Sequence, residues 1–238
     1  MPGDKDRGRA GAPDIKDRRR GGPADIDKFE GRRVEILKTA AAAFRKRGYH
    51  GSSVDEIASA LAMTKGNLYY YFRNKEDILY ACHDYSLNLI LGVMDDIRAE
   101  AIPADDKLRK LIVAFVHLII DELHSTALTL DLQALSPTLL KKVIARRDRF
   151  DRGLRAIIQE GIDEGVFGQA DTTLVAFAIM GAVNWIPKWF NPGGAASSEQ
   201  VGRTFANFLI AGLQRGSISA APRAGSRSSS ALALPSRP

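Results

Sequence analysis

Apolar residues recur with helical spacing from residue 32 to residue 213. Between 32 and 47 they stand at every third or fourth position, and the run ends in basic residues followed by Gly48. Because positions three and four apart share one face of a helix, such a run predicts a helix. Further runs of this kind cover residues 54–61, 76–99, 108–123, 126–135, 139–164, 172–186 and 199–213. No hairpin signal or strand–helix alternation occurs, so the sequence predicts an all-α fold.

Two of these helices are short and follow each other closely. Ser53 and Glu56 form a capping box that starts the first helix. Thr64 comes soon after Leu61, the last apolar position of that helix, and is the predicted N-cap of the second. Two short helices joined by so tight a turn cross at a wide angle. This arrangement is typical of a helix-turn-helix.

The second short helix carries small, basic, amide and phenolic side chains. Lys65 and Asn67 lie near its start, where a recognition helix meets base edges; an amide suits adenine, and an ammonium suits guanine or phosphate. Neighbouring hydroxyls and Lys75 suit backbone phosphates. The predicted DNA contacts are Ser52, Ser53, Thr64, Lys65, Gly66, Asn67, Tyr69, Tyr70 and Lys75. The pattern is also compatible with a structural turn that has half-buried tyrosines and solvated charges.

The wider block resembles the N-terminal DNA-binding domain of the TetR family of bacterial regulators over residues 32 to 80. The resemblance rests on Phe44, Gly48, Tyr49, Ser52, Ser53, Val54, Ile57, Ala58, Lys65, Gly66, Leu68, Tyr69, Tyr71, Phe72, Lys75, Glu76 and Leu79. It implies a homodimer that binds a pseudo-palindromic operator in double-stranded DNA. Ala62 stands where the family usually has glycine, which predicts a turn without positive φ. Asn67 replaces a common small hydroxyl residue and leaves the operator sequence open.

Composition agrees with this interpretation. The 238 residues carry a formal net charge of +6, which suits a polyanionic partner. The single cysteine, Cys82, excludes an internal disulfide and indicates a reducing cytoplasm. No apolar run follows the early basic residues, so no signal peptide and no membrane anchor are expected.

Four segments are expected along the chain. Residues 1–28 and 216–238 are poor in large apolar side chains and are predicted to be disordered tails. Residues 29–80 form the helix-turn-helix domain, and residues 81–215 form a helical ligand-binding and dimerisation domain. The basic cluster from Lys16 to Arg20 is compatible with a solvated tail and with an arm that touches DNA.

The segment from Met180 to Pro192, with Gly161 to Phe167 upstream, resembles the C-terminal domain of TetR regulators that respond to CoA thioesters. The resemblance covers residues 145 to 213 and implies an acyl-CoA effector, for which arginines and aromatic residues would suit the phosphates and the acyl chain. The candidate ligand-binding residues are Phe115, Arg146, Arg149, Asn184, Trp185 and Trp189. Pro187 predicts that its helix ends or kinks nearby.

These candidates have alternative interpretations. Trp185 and Trp189 share one helical face and also fit a core or a dimer interface, and the arginines also fit a solvated face. Asn184 lies among apolar residues, so it must bond the backbone, a ligand or its symmetry mate. His117 and His124 alone make a poor zinc site, and His117 is expected in the core. No metal or cofactor is predicted.

Two classes of function remain. The first is a ligand-responsive DNA-binding regulator, with repression as the family's common mode; a constitutive DNA-binding protein is a variant of it. The second is an all-helical acyl-thioester enzyme or carrier with an N-terminal interaction module. Catalysis needs a nucleophile or base supported by a partner, and the sequence shows no such set. It therefore favours a regulator that is not an enzyme.

Overall fold

The computed structural model describes residues 23–122 and 131–215. Within these ranges the protein contains α-helices and no strand, which confirms the all-α prediction. The helices are α1 (Pro23–Arg47), α2 (Val54–Ala60), α3 (Lys65–Tyr71), α4 (Lys75–Ala99), α5 (Ala104–His117), α6 (Pro137–Asp163), α7 (Thr172–Trp189) and α8 (Ser198–Arg215). A wider π-helical turn, Leu118–Glu122, follows α5, and a short 3₁₀ turn, Leu132–Ala134, precedes α6.

Some predicted features lie outside the described residues. They are the basic cluster Lys16 to Arg20, His124, most of the helix predicted at 126–135, and the tail from residue 216.

The chain divides into two compact units between Cys82 and His83, within α4. In the first unit α1, α2, α3 and the start of α4 surround one apolar core. Its fully buried side chains include Ile36, Leu37, Phe44, Ile57, Leu68, Phe72, Ile78 and Leu79. The thiol of Cys82 faces the Leu37 carbonyl oxygen at 3.5 Å, and burial raises its pKa to about 12. It is therefore a protonated packing residue, as the sequence predicts.

Helix α1 begins at Pro23 rather than at Arg32, so residues 23–28, predicted as part of a disordered tail, are helical. Proline is tolerated at a helix start because its missing N–H would have no helical partner there. Asp25 in the first turn complements the helix dipole. Phe29 stacks on Tyr71 with ring centroids 4.8 Å apart. This long-range contact, invisible in the local pattern, holds the added turns.

The turn between α2 and α3 differs from its prediction. Ala62 has φ +52°, so the expectation of a turn without positive φ is wrong. The N–H groups of Ala62 and Met63 donate to the carbonyls of Ser59 and Ala58 at 3.1 and 2.9 Å. These bonds close the end of α2 and require a left-handed residue. Alanine adopts this conformation at a cost of about 1–2 kcal/mol.

The second unit is built around α5. Leu108, Leu111 and Ile112 are at most 2% exposed. A Cβ atom on Gly202 would lie 3.2 Å from the Val113 Cα atom, so the glycine lets α8 approach α5 closely. Helices α6 and α7 complete the core. Helix α7 ends at Trp189, shortly after Pro187, as predicted.

Two charged or titratable side chains of α5 have opposite surroundings. Lys107 is buried and pairs with Glu160 at 2.6 Å, so its ammonium is compensated. His117 is exposed, and its Nδ1 lies 2.6 Å from an Asp121 carboxylate oxygen. The expectation of a core histidine is therefore wrong, because α5 turns this position away from its apolar face.

No helix of the described chain is both long and apolar enough to cross a membrane.

Candidate nucleic-acid interface

The ends of α2 and α3 are fixed by their caps. The Ser53 hydroxyl accepts from the Glu56 N–H at 3.1 Å, and the Glu56 carboxylate accepts from the Ser53 N–H at 3.0 Å. The Thr64 hydroxyl accepts from the Asn67 N–H at 3.2 Å. Both caps follow the predicted pattern, and the geometry is a helix-turn-helix.

Helix α3 has one buried position and a broad exposed side. Leu68 is 0% exposed, and Phe72 just after the helix is 2% exposed. The exposed side carries Lys65, Gly66, Asn67, Tyr69 and Tyr70, all in the predicted DNA-contact set. Tyr69 and Tyr70 are 41% and 46% exposed, so about half of each side chain is open to a partner.

Lys65 has a carboxylate partner on α2. Its Nζ lies 2.8 Å from the Asp55 Oδ2 atom, and both side chains are at least half exposed. The hydrogen bond and charge of Asp55 raise the pKa of Lys65. The ammonium is thus fully charged at neutral pH and partly compensated within the protein.

Lys75 lies at the first position of α4 and is held by an aromatic ring. Its Nζ is 4.3 Å from the ring centroid of Tyr49, a cation–π distance. Partial burial lowers the pKa of Lys75, while the charge of Glu56 opposes that shift. Tyr49 was absent from the predicted contact set, because its contact with Lys75 joins residues that are distant in the sequence.

Ser52 must be removed from the predicted contacts. It is 4% exposed, and its hydroxyl lies 3.0 and 2.9 Å from the carbonyl oxygens of Ala43 and Gly48. The hydroxyl donates inward and ties the end of α1 to the loop. Ser53 and Thr64 differ, because a hydroxyl that accepts from a backbone N–H still has its own proton to donate to a phosphate.

The sequence analysis did not predict a concave surface that lies beside α3. It has a volume of about 320 Å³ and is lined by Arg32, Ala62, Met63, Asn67, Tyr70 and Tyr71. Arg32 donates to the Leu61 carbonyl at 3.0 Å and pairs with Glu35 at 2.5 Å. This basic residue therefore sits next to the turn, where the sequence pattern showed only a helix position.

Three of the six predicted ligand-binding residues have partners within the second unit. Phe115 is 3% exposed and packs against Phe150 with centroids 5.3 Å apart. Arg146 donates to Asp84 and Asn88 of α4. Arg149 pairs with Asp95 of α4 at 2.5 Å. The first is a core residue, and the two arginines are ion-pair partners of α4.

The remaining three residues lie on α7. Trp185 and Trp189 are 63% and 48% exposed. Asn184 is half-buried, and its Oδ1 has no hydrogen-bond partner among the described residues. A groove of about 570 Å³ between α5 and α8 is lined by other residues, among them Val113, Ala114 and Arg203.

Within the described ranges no cluster of three or more metal-ligating side chains occurs. The arrangement of α2 and α3, with an outward basic, amide and phenolic surface, defines a helix-turn-helix DNA-binding protein with a second helical unit. Residues 36–82 match the family described as bacterial regulatory proteins, tetR family, and residues 101–213 match the tetracyclin repressor-like, C-terminal domain. The chain belongs to the TetR family of transcriptional regulators, which are not enzymes. The enzyme or carrier alternative is therefore set aside.

Similar proteins cover most of the chain. The HTH-type transcriptional repressor KstR2 of Mycolicibacterium smegmatis is 27% identical over 186 residues, which is 76% of this chain and 90% of KstR2. The crystal structure of PfmR from Thermus thermophilus is 32% identical with a TM-score of 0.64, covering 76% of this chain and 99% of PfmR. The crystal structure of AibR in complex with isovaleryl coenzyme A and operator DNA is 30% identical with a TM-score of 0.64, covering 76% of this chain and 98% of AibR.

Proposed function

We propose that the protein is a homodimeric transcriptional repressor in the cytoplasm that binds a pseudo-palindromic operator and is released by a CoA thioester. The observation that carries the DNA-binding part is the exposed side of α3, where Lys65, Asn67 and Tyr69 face outward above the buried Leu68. Repression is proposed by analogy with KstR2, which is named a repressor.

In this proposal the contacts divide into two kinds. Asn67 and Lys65 near the start of α3 read base edges in the major groove. The hydroxyls of Ser53 and Thr64 and the ammonium of Lys75 bind phosphates, which fixes register without reading sequence. Gly66 is exposed and has only the Thr64 hydroxyl near its Cβ direction, at 3.8 Å, so the DNA backbone could approach it closely.

The exposed aromatic residues of α7 and α8 support a homodimer. Leu174, Phe177, Trp185 and Trp189 recur with helical spacing along α7, and Phe208 lies on α8; their side chains are between 48% and 79% exposed. Exposed apolar clusters of this kind mark association surfaces. A second copy packed through α7 and α8 would make a four-helix bundle. The dimer would carry two α3 helices, one for each half-site of an operator whose half-sites are about 34–36 Å apart. The orphan oxygen of Asn184 could then find its partner across the interface.

Trp185→Glu tests this interface. The buried charge should dissociate the dimer and weaken operator binding by at least about tenfold, because a monomer holds one half-site only. Analytical ultracentrifugation gives the mass, and fluorescence anisotropy gives the affinity. Ala156→Glu, at an exposed position of α6, adds the same charge and should leave both unchanged. A Trp185→Glu protein that stays dimeric would show that another surface forms the dimer.

The effector proposal rests on relatives. The matched C-terminal domain and the AibR structure with isovaleryl coenzyme A support a CoA thioester. Helix α4 begins at Lys75, a predicted phosphate contact, and continues to Ala99 in the second unit. An effector that binds one position of this helix better than another would change operator affinity.

The release experiment needs an operator. A duplex selected by the wild-type protein from a randomised library serves this purpose and is called the selected operator below. Addition of acyl-CoAs of increasing chain length should weaken binding about 5- to 150-fold, the usual range of coupling between two sites. Free CoA and free fatty acids are the matched controls and should have little effect. Binding that is insensitive to every thioester would indicate a constitutive DNA-binding protein.

A further inference from the structure

We propose that Asp55 is a specificity-determining residue. Its ion pair with Lys65 lowers the affinity of this lysine for phosphates of unrelated DNA and leaves it able to bind base edges. This inference rests on the proposed placement of α3 in a DNA groove and goes beyond the predicted contacts, none of which is acidic. The Asp55 and Lys65 side chains are 63% and 50% exposed, so their ion pair lies on the surface that would face DNA.

Asp55 is not needed to build the helix-turn-helix. The cap of α2 is made by Ser53 and Glu56. Asp55 stands in the first turn of α2 and takes no part in these capping bonds. A charged carboxylate on a DNA-facing surface repels every phosphate that comes near it, and this cost has to be matched by a gain.

The gain is in sequence specificity, and it comes from the effect of the ion pair on Lys65. An unpaired lysine on such a surface would bind any phosphate and displace a counterion, which raises affinity for all sequences alike. With Asp55 at 2.8 Å, one of the three ammonium donors is occupied and the charge is compensated. The two remaining donors can still reach guanine O6 and N7 in the groove. Asp55 therefore suppresses sequence-independent binding more than operator binding, a repulsive element that favours one partner.

The test compares two duplexes of equal length, the selected operator and an unrelated sequence, over a series of salt concentrations. Asp55→Asn should strengthen binding to the unrelated duplex about 5- to 10-fold and steepen its salt dependence by about one counterion per subunit. Affinity for the selected operator should rise by a smaller factor or stay the same. The ratio of the two affinities should therefore drop.

Two further variants make the result specific. Glu100→Gln changes the net charge equally in the second unit, where Glu100 pairs with Lys110, and should leave the ratio unchanged. In a Lys65→Met background, Asp55→Asn should no longer add the extra counterion.

Three outcomes would overturn the inference. Equal gains on both duplexes, or the same gain with Glu100→Gln, would reduce Asp55 to a general charge effect. Loss of operator affinity as large as that of Lys65→Met would make Asp55 a residue that positions Lys65 for binding. If wild-type protein preferred no duplex, the proposed function would fail together with this inference. A wild-type preference that survives with equal gains contradicts the inference alone.

Discussion

Replacement of both Lys65 and Tyr69 by alanine is expected to weaken binding to the selected operator by at least about 100-fold. Lys65 is a predicted base contact, which contributes about 1–3 kcal/mol. Tyr69 is a predicted phosphate contact, and a dimer loses each contact twice. Lys65 and Tyr69 are exposed, so the fold should survive. Alanine also favours the helix more than either residue does. Anisotropy titrations measure the loss, and thermal unfolding with ultracentrifugation shows that a folded dimer remains.

The control for this double variant is Lys141→Ala, which removes a cation from an exposed position of α6. It should change operator affinity only slightly. Unchanged affinity of the Lys65→Ala/Tyr69→Ala protein, in a folded dimer, would remove α3 from the DNA interface. The proposed function would then have no structural basis, because no other predicted contact reads base edges except Asn67 on the same helix.

Local signals predicted the first unit well because its elements are set by short-range chemistry. Ser53 with Glu56, and Thr64 with Asn67, cap their helices within three residues of sequence. Gly48 ends α1 with φ +74°, as its position after a basic turn indicated. Capping bonds of this kind depend on neighbours in the chain, so a single sequence contains them in full.

The misses in this unit depend on contacts between distant residues. The start of α1 is held by Phe29 on Tyr71, and Ser52 is drawn inward by the Ala43 and Gly48 carbonyls. Asp55 next to Lys65 joins two helices across the turn. Apart from Ser52 and Gly48, which are four residues apart, none of these pairs has the spacing of neighbours on a helix face.

In the second unit the helices were predictable, but the surroundings of their faces were not. Helical spacing shows that Trp185 and Trp189 share a side of α7, and only the fold shows that this side is exposed. The arginine run of α6 suggested a ligand head group. The structure pairs Arg146 and Arg149 with carboxylates of α4 instead. Charge complementarity between helices is a property of packing, which periodicity does not encode.

These ion pairs involve carboxylates of α4 that follow the division between the two units. Asp84 and Asp95 of α4 hold arginines of α6, and His83 is buried beside Arg147. The proposed release of DNA by an effector needs an element whose position can be influenced by both the DNA site and the effector site. Helix α4 meets this need in its sequence span, since it carries Lys75 at one end and these partners further along.

Acidification is expected to destabilise the protein through His83. This side chain is 0% exposed, and both ring nitrogens lack a hydrogen-bond partner among the described residues. Burial, and then the charge of Arg147, lowers the pKa of His83 to about 3. Between the ordinary histidine value of about 6.5 and that lowered pKa, the unfolded chain binds a proton that the folded chain does not. The contribution of His83 to the free energy of unfolding therefore falls as pH falls through this window, by at most about 1.4 kcal/mol per pH unit. Above the window this contribution does not change with pH.

His83→Leu isolates this contribution. Leucine removes two buried polar atoms without partners, so at pH 7.5 the variant should be as stable as the wild type or more stable. Urea unfolding at pH 7.5, 6 and 5, at one fixed protein concentration because a dimer is expected, should show a shallower fall for the variant. The gap between the two proteins should therefore widen by about 1 kcal/mol from pH 6 to pH 5. Parallel pH profiles would mean that His83 is protonated or solvated in the folded protein, and a loss of stability at pH 7.5 would mean that its ring nitrogens are bonded after all.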